Sequence, residues 1–425
     1  RTWTSCSANE RREETRFRFK INIHGTIIEK GLSIMRRAAL IDVVRTPFGK
    51  GREGGALSSE HPVDLYAKVI RALVERQDID PNLIEDVITG CVLQVGEQAG
   101  NIGRQAALAA GLPESVPALT LDRKCGSAQQ AIDSAAQGII AGAYDVAIAG
   151  GVEMMSVVPM KMNRMGKDSE GPIFRERYPD GLVHQGIAAE RIAARWQLGR
   201  EELDRFSLMS HHKAAADQEA VKKDILPIRL SDGGLVDRDE GIRAESNLEK
   251  MMSLRPAFED EEMKNRFPEI SWSVTAASSS QVSDGAAACL LVEEKTAARL
   301  NLSPRAYLTH FAVSGDDPLM MLTGVIPATR KILKRAGLSI DDLEAYEVSE
   351  AFASVPLAWE KELQADPERL NVFGGAIAIG HPVGASGGRL VANLLRALES
   401  GRGQYGLVTM CESGGMANAS LFERA

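Results

Sequence analysis

Two stretches of the chain repeat one pattern: a loop with a reactive side chain, a helix, a glycine, and an apolar run ending in glycines. In the first stretch the loop carries Cys125 and the apolar run spans 144–151. In the second the loop carries His381 and the run spans 405–415. A duplicated half would place two reactive loops face to face. We therefore predict an internal duplication, with a chance match of two strand–helix–strand units as the alternative.

Short apolar runs typical of strands alternate with segments of helical period along most of the chain. After Cys125, apolar residues recur at the i, i+3, i+4, i+7 spacing of an amphipathic helix. Strands alternating with helices predict an α/β fold with parallel or mixed sheets. The predicted strands are 38–44, 86–90, 118–121, 144–150, 306–313, 345–348 and 405–410.

Composition excludes several classes of function. The 425 residues predict two or three domains, and no apolar stretch reaches the roughly 18–20 residues that cross a bilayer. A net charge of −8 without a long basic run argues against nucleic acid as the main partner but allows an anionic small molecule. Five cysteines without a CxxC pair form neither a disulfide framework nor a zinc motif, so we expect a reducing cytoplasm and no metal.

Two segments depart from the alternating pattern. Residues 1–34 are polar and mixed in charge, so we expect a disordered N-terminal extension with Met35 as the natural start. Residues 156–282 are rich in Met, Arg, Lys, Glu and Pro, and we expect them to form a lid or binding subdomain.

The sequence places Cys125 after a strand and at the start of a helix. The positive end of the helix dipole, with Arg123 and Lys124, is expected to lower the pKa of this thiol and favour a nucleophilic thiolate. The alternative is that Cys125 is a small buried apolar residue.

Residues 374–388 form a glycine-rich segment around His381, which can serve as a base or hydrogen-bond donor near neutral pH. A phosphate-binding loop or a structural turn is the alternative, although the order of glycines fits neither nucleotide motif. Cys411 is a second thiol at the end of a strand before glycines. Together the three side chains supply the nucleophile, general base and second acid/base of acyl transfer.

From about Met35 to Ala425 the sequence resembles the thiolase family, and several ordered motifs carry the resemblance. They are Val44-Arg-Thr-Pro-Phe48, the Cys125 loop, Gly150-Gly-Val-Glu-Met-Met155, Leu254-Arg-Pro-Ala-Phe258, Ser283-Asp-Gly-Ala-Ala287, Ser349-Glu-Ala-Phe-Ala353, 374–388 and 411–415.

The resemblance implies a duplicated five-layer αβαβα fold with an inserted lid. Residues 35–155 and 283–303 would form an N-terminal half with the nucleophile. Residues 156–282 would form a loop domain that binds coenzyme A, and 304–425 a C-terminal half with the histidine and second cysteine. Thiolases associate as dimers or tetramers through their N-terminal halves, so we expect a homodimer or homotetramer.

The resemblance also implies roles for the reactive residues. Cys125 matches the acyl-accepting nucleophile, His381 the residue that activates it, and Cys411 the acid/base at the α-carbon of acetyl-CoA. The implied activity is an acetyl-CoA C-acyltransferase that cleaves 3-ketoacyl-CoA with CoA through an acyl-cysteine, without a permanently bound cofactor. Partner enzymes of fatty-acid β-oxidation are further expected partners.

Two positions depart from the family. Ser349 stands where most thiolases have Asn, whose role is to hold a water in one oxyanion hole. Ser413 stands where Gly is usual, and a positive φ there would cost a non-glycine residue roughly 1–2 kcal/mol. We expect thiolase chemistry with altered oxyanion geometry.

Other positions match the family less firmly. Arg255, Ser280 and His184 match positions that contact CoA or line its pocket, while Gln185 replaces Met. His211 and His212 are interpreted as solvated surface rather than metal ligands, and Cys91 and Cys289 as core residues.

Three other functions stay open. The same site could run as a biosynthetic acetoacetyl-CoA thiolase, since one site catalyses both directions. A non-catalytic CoA- or lipid-binding relative is motivated by Ser349 and Ser413. A decarboxylating ketoacyl synthase shares the fold but uses Cys-His-His or Cys-His-Asn, and Cys411 argues against it. Acyl chain length or sterol preference is not readable from the sequence.

Overall fold

The computed structural model describes residues 22–23, 26–27, 36–216 and 218–425. Within the first 35 residues, Asn22–Ile23 and Thr26–Ile27 pair as short antiparallel strands. The remainder of the predicted N-terminal extension lies outside the described residues. Residues 36–425 form a separate compact unit, to which all that follows refers.

Ten strands of this unit join in one mixed sheet. They are β1 (Ala38–Arg45), β2 (Gly49–Lys50), β3 (Asp86–Gly90), β4 (Ala118–Leu121), β5 (Val146–Met154), β6 (Ser283–Glu293), β7 (Ala306–Gly315), β8 (Leu343–Val348), β9 (Tyr405–Glu412) and β10 (Met416–Arg424).

The strand order β8-β9-β10-β7-β1-β6-β5-β3-β4 consists of two similar halves. In the N-terminal half, β1, β6 and β5 are successively antiparallel and β5 is parallel to β3. In the C-terminal half, β7, β10 and β9 are successively antiparallel and β9 is parallel to β8. Strands β1 and β7 join the halves in antiparallel fashion. The repeated pattern confirms the predicted duplication.

Fourteen helices accompany the sheet in the described part of the chain. They are α1 (Pro62–Gln77), α2 (Ile102–Ala109), α3 (Ser127–Ala141), α4 (Pro172–Arg177), α5 (Gln185–Arg195), α6 (Arg200–Ala216), α7 (Gln218–Val221), α8 (Leu248–Met252), α9 (Glu261–Arg266), α10 (Glu294–Arg299), α11 (Val325–Ala336), α12 (Ser354–Leu363), α13 (Ala376–Ile379) and α14 (Ser386–Ser400).

The helices and sheet halves stack as five layers. Helices α3 and α14 pack against each other, and each contacts strands of both halves. Helices α1 and α2 cover the outer face of the N-terminal half, and α11, with α12 beside it, covers that of the C-terminal half. This arrangement confirms the predicted αβαβα architecture.

The two central helices approach so closely that their contact requires glycine. A Cβ on Gly387 of α14 would lie 2.3 Å from the backbone nitrogen of Gln129 on α3. Because these helices begin beside His381 and Cys125, their packing fixes the separation of the two reactive loops.

Residues 156–282 contain helices α4–α9 and a ribbon of Ile228–Arg229 paired with Leu235–Val236. Helix α5 packs on α12, and α6 packs on α13. The segment therefore rests on the C-terminal half, next to the loop that carries His381. Across 36–216 and 218–425, no helix combines the length and apolarity needed to cross a membrane.

Candidate active site

Cys125 lies in the tight loop between β4 and α3, with only 6% of its surface exposed. The residue before it, Lys124, adopts a left-handed conformation with φ of 50°. The Asp122 carboxylate accepts the Lys124 N–H at 2.6 Å, and the Ser127 hydroxyl accepts the Arg123 N–H at 2.8 Å. A strained loop persists where surrounding contacts hold it. Here the two hydrogen bonds fix the backbone around Cys125.

The electrostatics around Cys125 differ from the sequence-based expectation. Burial, then the neighbouring Cys411 and Glu412, raise the pKa of the Cys125 thiol, while Lys124 offsets only part of the rise. The expected lowering of this pKa is therefore wrong for the resting structure. Cys125 is a neutral thiol that needs a base to remove its proton.

The backbone of His381 is held at two points. Its N–H lies within hydrogen-bond distance of the Gln281 carbonyl, at 2.9 Å, and of the Ser283 hydroxyl, at 3.0 Å. The preceding Gly380 has φ of 116°, a conformation that favours glycine.

The side chain of His381 has an assignable tautomer. Its Nδ1 lies 2.7 Å from the Ser386 hydroxyl, which itself donates to the Pro382 carbonyl at 2.9 Å. Because the single hydroxyl hydrogen is used there, Nδ1–H is the donor to Ser386 and Nε2 keeps a free lone pair. Among the described residues Nε2 has no hydrogen-bond partner, although it is buried.

The imidazole of His381 is neutral at physiological pH. Burial, and secondarily the positive charge of Arg389, lower the pKa of His381 to about 4. A neutral buried imidazole with a free Nε2 is a proton acceptor.

Cys411 lies at the end of β9, with no exposed surface. Burial raises the pKa of its thiol to about 12, and the Ser349 hydroxyl offsets part of this rise. The Ser349 N–H donates to the Thr409 carbonyl at 3.0 Å, so Ser349 stands beside the end of β9. Its hydroxyl is buried beside the Cys411 thiol and makes no other hydrogen bond among the described residues, which leaves it able to contact a ligand or water.

Ser413 is partly exposed in the turn after β9. Its φ is not positive; Gly414 and Gly415, at 92° and 78°, take the left-handed positions of the turn instead. The backbone strain that we considered at Ser413 is thus absent.

The segment that links the lid to β6 connects the Ser349 loop to the His381 loop. The Ser280 N–H donates to the Ala351 carbonyl at 2.9 Å, and the next residue, Gln281, accepts from His381. The Gln281 side-chain amide also donates to the Ile377 carbonyl at 2.8 Å. The structure therefore places Ser280 between the two loops.

Two buried positions escaped the sequence analysis although they lie inside quoted motifs. Ser386 fixes the His381 tautomer, as described above. The Glu350 carboxylate accepts hydrogen bonds from the Ser210 hydroxyl on α6 at 2.7 Å and from the Asn371 amide at 2.9 Å. Glu350 thereby connects the Ser349 loop to the lid. The sequence signal for Glu350 was its charge inside an otherwise apolar motif.

A row of rings extends from the lid to the Ser349 loop. The His184 and Phe258 ring centroids are 5.6 Å apart, and those of Phe258 and Phe352 are 5.7 Å apart. His184 begins α5 and accepts the Gly186 N–H at its Nδ1. Burial and Lys161 lower its pKa. Arg255 is exposed near this row and makes no ion pair with the described residues.

The remaining His and Cys interpretations have different outcomes. His211 is 1% exposed and its Nδ1 accepts the Arg243 N–H at 3.1 Å, so its interpretation as a solvated surface residue is wrong. Helix α6 packs this side against α13, whereas His212 is exposed. Cys91 and Cys289 are fully buried, as predicted. No group of His, Cys, Asp or Glu suited to a metal ion occurs in the described part of the chain.

The duplicated α/β halves carry two neighbouring buried thiols, Cys125 and Cys411, and a neutral buried histidine, side-chain types suited to acyl transfer. Models of the thiolase N-terminal domain and the thiolase C-terminal domain match residues 38–295 and 302–424. The chain belongs to the thiolase family and is an acyltransferase.

Curated relatives cover nearly the whole chain. A steroid 3-ketoacyl-CoA thiolase, FadA6, of Mycobacterium tuberculosis is 46% identical over 92% of this chain and 95% of its own length. A 3-ketoacyl-CoA thiolase of Aliivibrio fischeri is 40% identical over 92% of this chain and its full length. A 3-ketoacyl-CoA thiolase of Photobacterium profundum is also 40% identical, with the same coverage.

Proposed function

We propose that this protein cleaves 3-ketoacyl-CoA with CoA to acetyl-CoA and a shortened acyl-CoA. In the first step the Cys125 sulfur attacks the 3-keto carbon while His381 Nε2 takes the thiol proton. The bond between the α- and β-carbons then breaks, and the acetyl-CoA enolate takes a proton from Cys411. In the second step a CoA thiol gives its proton to the Cys411 thiolate and attacks the acyl-Cys125 thioester. The shortened acyl-CoA forms as the bond to Cys125 breaks, and the Cys125 sulfur takes its proton back from His381.

One observation carries this proposal: a buried, neutral His381 presents an unpartnered Nε2 in a site with two protonated thiols. A base near its working protonation state is the group that a neutral thiol requires. A helix contact supports the pairing of His381 with Cys125. Gly387, in the segment that carries His381, packs on α3, the helix that begins just after Cys125.

We assign oxyanion support to the groups around Cys411. The Ser349 hydroxyl, which makes no hydrogen bond among the described residues apart from its contact with the Cys411 thiol, is suited to hold a water toward a thioester oxygen. Ser413 contributes its backbone N–H from the turn after β9, where its φ is not positive. His381 supplies a further donor once its Nε2 is protonated.

CoA acts as co-substrate, and we propose that the lid binds it. Arg255 is an exposed cation without an ion pair in the described chain, which suits a phosphate. Ser280 lies between the two loops, and the His184–Phe258–Phe352 row offers an apolar wall for the pantetheine or acyl chain.

The test is trapping of the acyl-enzyme. The purified protein is mixed with a 3-ketoacyl-CoA without free CoA, and intact mass is measured. We expect one acyl addition in the parent and in Cys289→Ala, a core control, and none in Cys125→Ala. Acyl labelling that persists in Cys125→Ala overturns the assignment. An absence of turnover with every chain length, despite CoA binding, would instead support the non-catalytic relative.

The acyl group is resolved by a substrate panel of acetoacetyl-CoA, a long straight-chain and a ring-containing 3-ketoacyl-CoA. The ring-containing compound belongs in the panel because the FadA6 relative carries a steroid thiolase name. A kcat/KM highest for acetoacetyl-CoA would favour the biosynthetic alternative.

We further propose a cytoplasmic homodimer or homotetramer, working beside β-oxidation enzymes. Strand β4 is an outer strand that pairs only with β3 in the described chain, and its Leu119 is 50% exposed. An open edge with an apolar side chain suits pairing with a second copy. The molar mass in solution tests this assembly.

A further inference from the structure

Glu412 is a buried carboxyl group that the proposed reaction does not use. It follows Cys411 on β9, and side chains alternate along a strand, so it points away from Cys411 toward the central helices. None of its surface is exposed, and neither carboxyl oxygen has a hydrogen-bond partner among the described residues. An unpartnered carboxyl in the interior is costly and calls for a reason.

The carboxyl group of Glu412 rests against the backbone just behind the nucleophile. A Cβ on Gly126 would lie 2.1 Å from Glu412 Oε1, so the carboxyl group packs directly on the backbone after Cys125. The Asn418 amide on β10 donates to the Gly126 carbonyl at 3.2 Å and holds this contact. Glu412 therefore sits at the start of α3.

The charges that face Glu412 come from several elements. Arg123, in the Cys125 loop, attracts its negative charge, whereas Asp133 on α3 and Asp122 oppose it. Burial outweighs the attraction of Arg123 and raises the pKa of Glu412 to about 8. In turn, the Glu412 carboxylate raises the pKa of both Cys125 and Cys411. Lys124 is the charge that acts oppositely on Cys125.

We propose that Glu412 is a positioning residue that couples the reactivity of Cys125 to its own protonation, so that the nucleophile forms readily only while Glu412 is neutral. This inference rests on the proposed role of Cys125. Forming the Cys125 thiolate adds a negative charge next to the Glu412 carboxyl in a buried site. Two such charges repel, so ionisation of Glu412 on the alkaline side suppresses thiolate formation.

The experiment measures the rate of Cys125 alkylation by iodoacetamide at pH 6 and pH 9, mapped by peptide mass in a Cys411→Ala background. Glu412→Gln keeps the size of the side chain and removes its charge. We expect equal rates at pH 6 and a rate about tenfold higher than the parent at pH 9, since one pKa unit is a tenfold change in thiolate. The matched control is Glu347→Gln. Glu347 is also buried with a pKa near 8 but faces Arg389, and its variant should follow the parent.

A second variant keeps the inference testable if Glu412→Gln does not fold. Glu412→Met also removes the charge while keeping a side chain of similar length, so alkylation at pH 9 should again rise above the parent. Equal rates in parent and folded variants at pH 9 overturn the coupling while Cys125 remains reactive. A parent whose Cys125 does not alkylate at any pH overturns the nucleophile assignment itself.

Discussion

At the scale of single residues, the site depends on neighbouring side chains that fix the orientation and protonation of the reactive groups. His381 is a base only in the tautomer that keeps Nε2 free, and the Ser386 hydroxyl selects it at 2.7 Å. Because Ser386 also donates to Pro382 four residues earlier, it has no freedom to act as the donor to His381.

Replacing Ser386 with Ala removes the acceptor for Nδ1–H. The tautomer with hydrogen on Nε2 then gains population, and we expect kcat to fall about tenfold or more while KM for CoA is unchanged. Steady-state kinetics on a 3-ketoacyl-CoA measure both. Ser207→Ala is the matched control, because Ser207 is likewise buried and donates to a carbonyl four residues earlier. Full kcat in Ser386→Ala would contradict the tautomer assignment.

The three reactive residues were predictable because each lies in a glycine-rich or strand-end motif. Their charge states were not. The pKa of Cys125 follows from burial and from Cys411 and Glu412, which are nearly 290 positions away in the chain. Glu350 likewise binds Ser210, 140 positions away. Such contacts depend on tertiary structure, which local pattern does not encode.

At the scale of elements, strands β3 and β4 occur at their predicted bounds, and β1, β5, β7, β8 and β9 lie within a few residues of theirs. Strands β2, β6 and β10 were not predicted. All eleven residues of β6 are buried, so the strand lacks the apolar–polar alternation that would reveal it. Strands β6 and β10 occupy equivalent positions in the two halves, next to β1 and β7.

The contact between α3 and α14 gives a prediction at this scale. In Gly387→Ala the new Cβ would meet the Gln129 backbone at 2.3 Å, and backbone inside two packed helices has little room to move. We expect a loss of about 1–3 kcal/mol of unfolding free energy, the usual cost of overpacking. Urea denaturation measures it.

The control for this variant is Gly199→Ala. A Cβ on Gly199 would have no atom within 4 Å, and its backbone does not require glycine. The control should therefore retain the parent midpoint. A Gly387→Ala protein as stable as the parent would mean that the central helices can move apart without penalty.

At the scale of the whole molecule, buried titratable groups govern how stability depends on pH. Burial raises the pKa of Asp133, Glu347 and Glu412 to about 8. Burial lowers the pKa of His211 and His381 to about 4. The two sets act in opposite directions, and their windows overlap only in part.

The signs follow from proton binding. A carboxyl with a raised folded pKa holds its proton longer in the folded state, so its contribution is lost as pH rises from about 4 to 8. A histidine with a lowered folded pKa binds its proton more weakly when folded, so its contribution is lost as pH falls from about 6.5 to 4. Below pH 6.5 the two histidines offset only two of the three carboxyl groups, so the unfolding free energy still falls as pH rises. Between pH 6.5 and 8 only the carboxyl groups act.

We therefore predict that Tm falls gently from pH 5 to 6.5, falls more steeply toward pH 8 and levels off above it. Each fully titrating carboxyl changes the unfolding free energy by about 1.4 kcal/mol per pH unit. Thermal unfolding at constant ionic strength measures the curve. Asp133→Asn should make the fall shallower, because its amide oxygen can still accept from Ser420 but carries no charge. A Tm that rises from pH 6.5 to 8 would show that these carboxyl groups are already ionised in the folded protein.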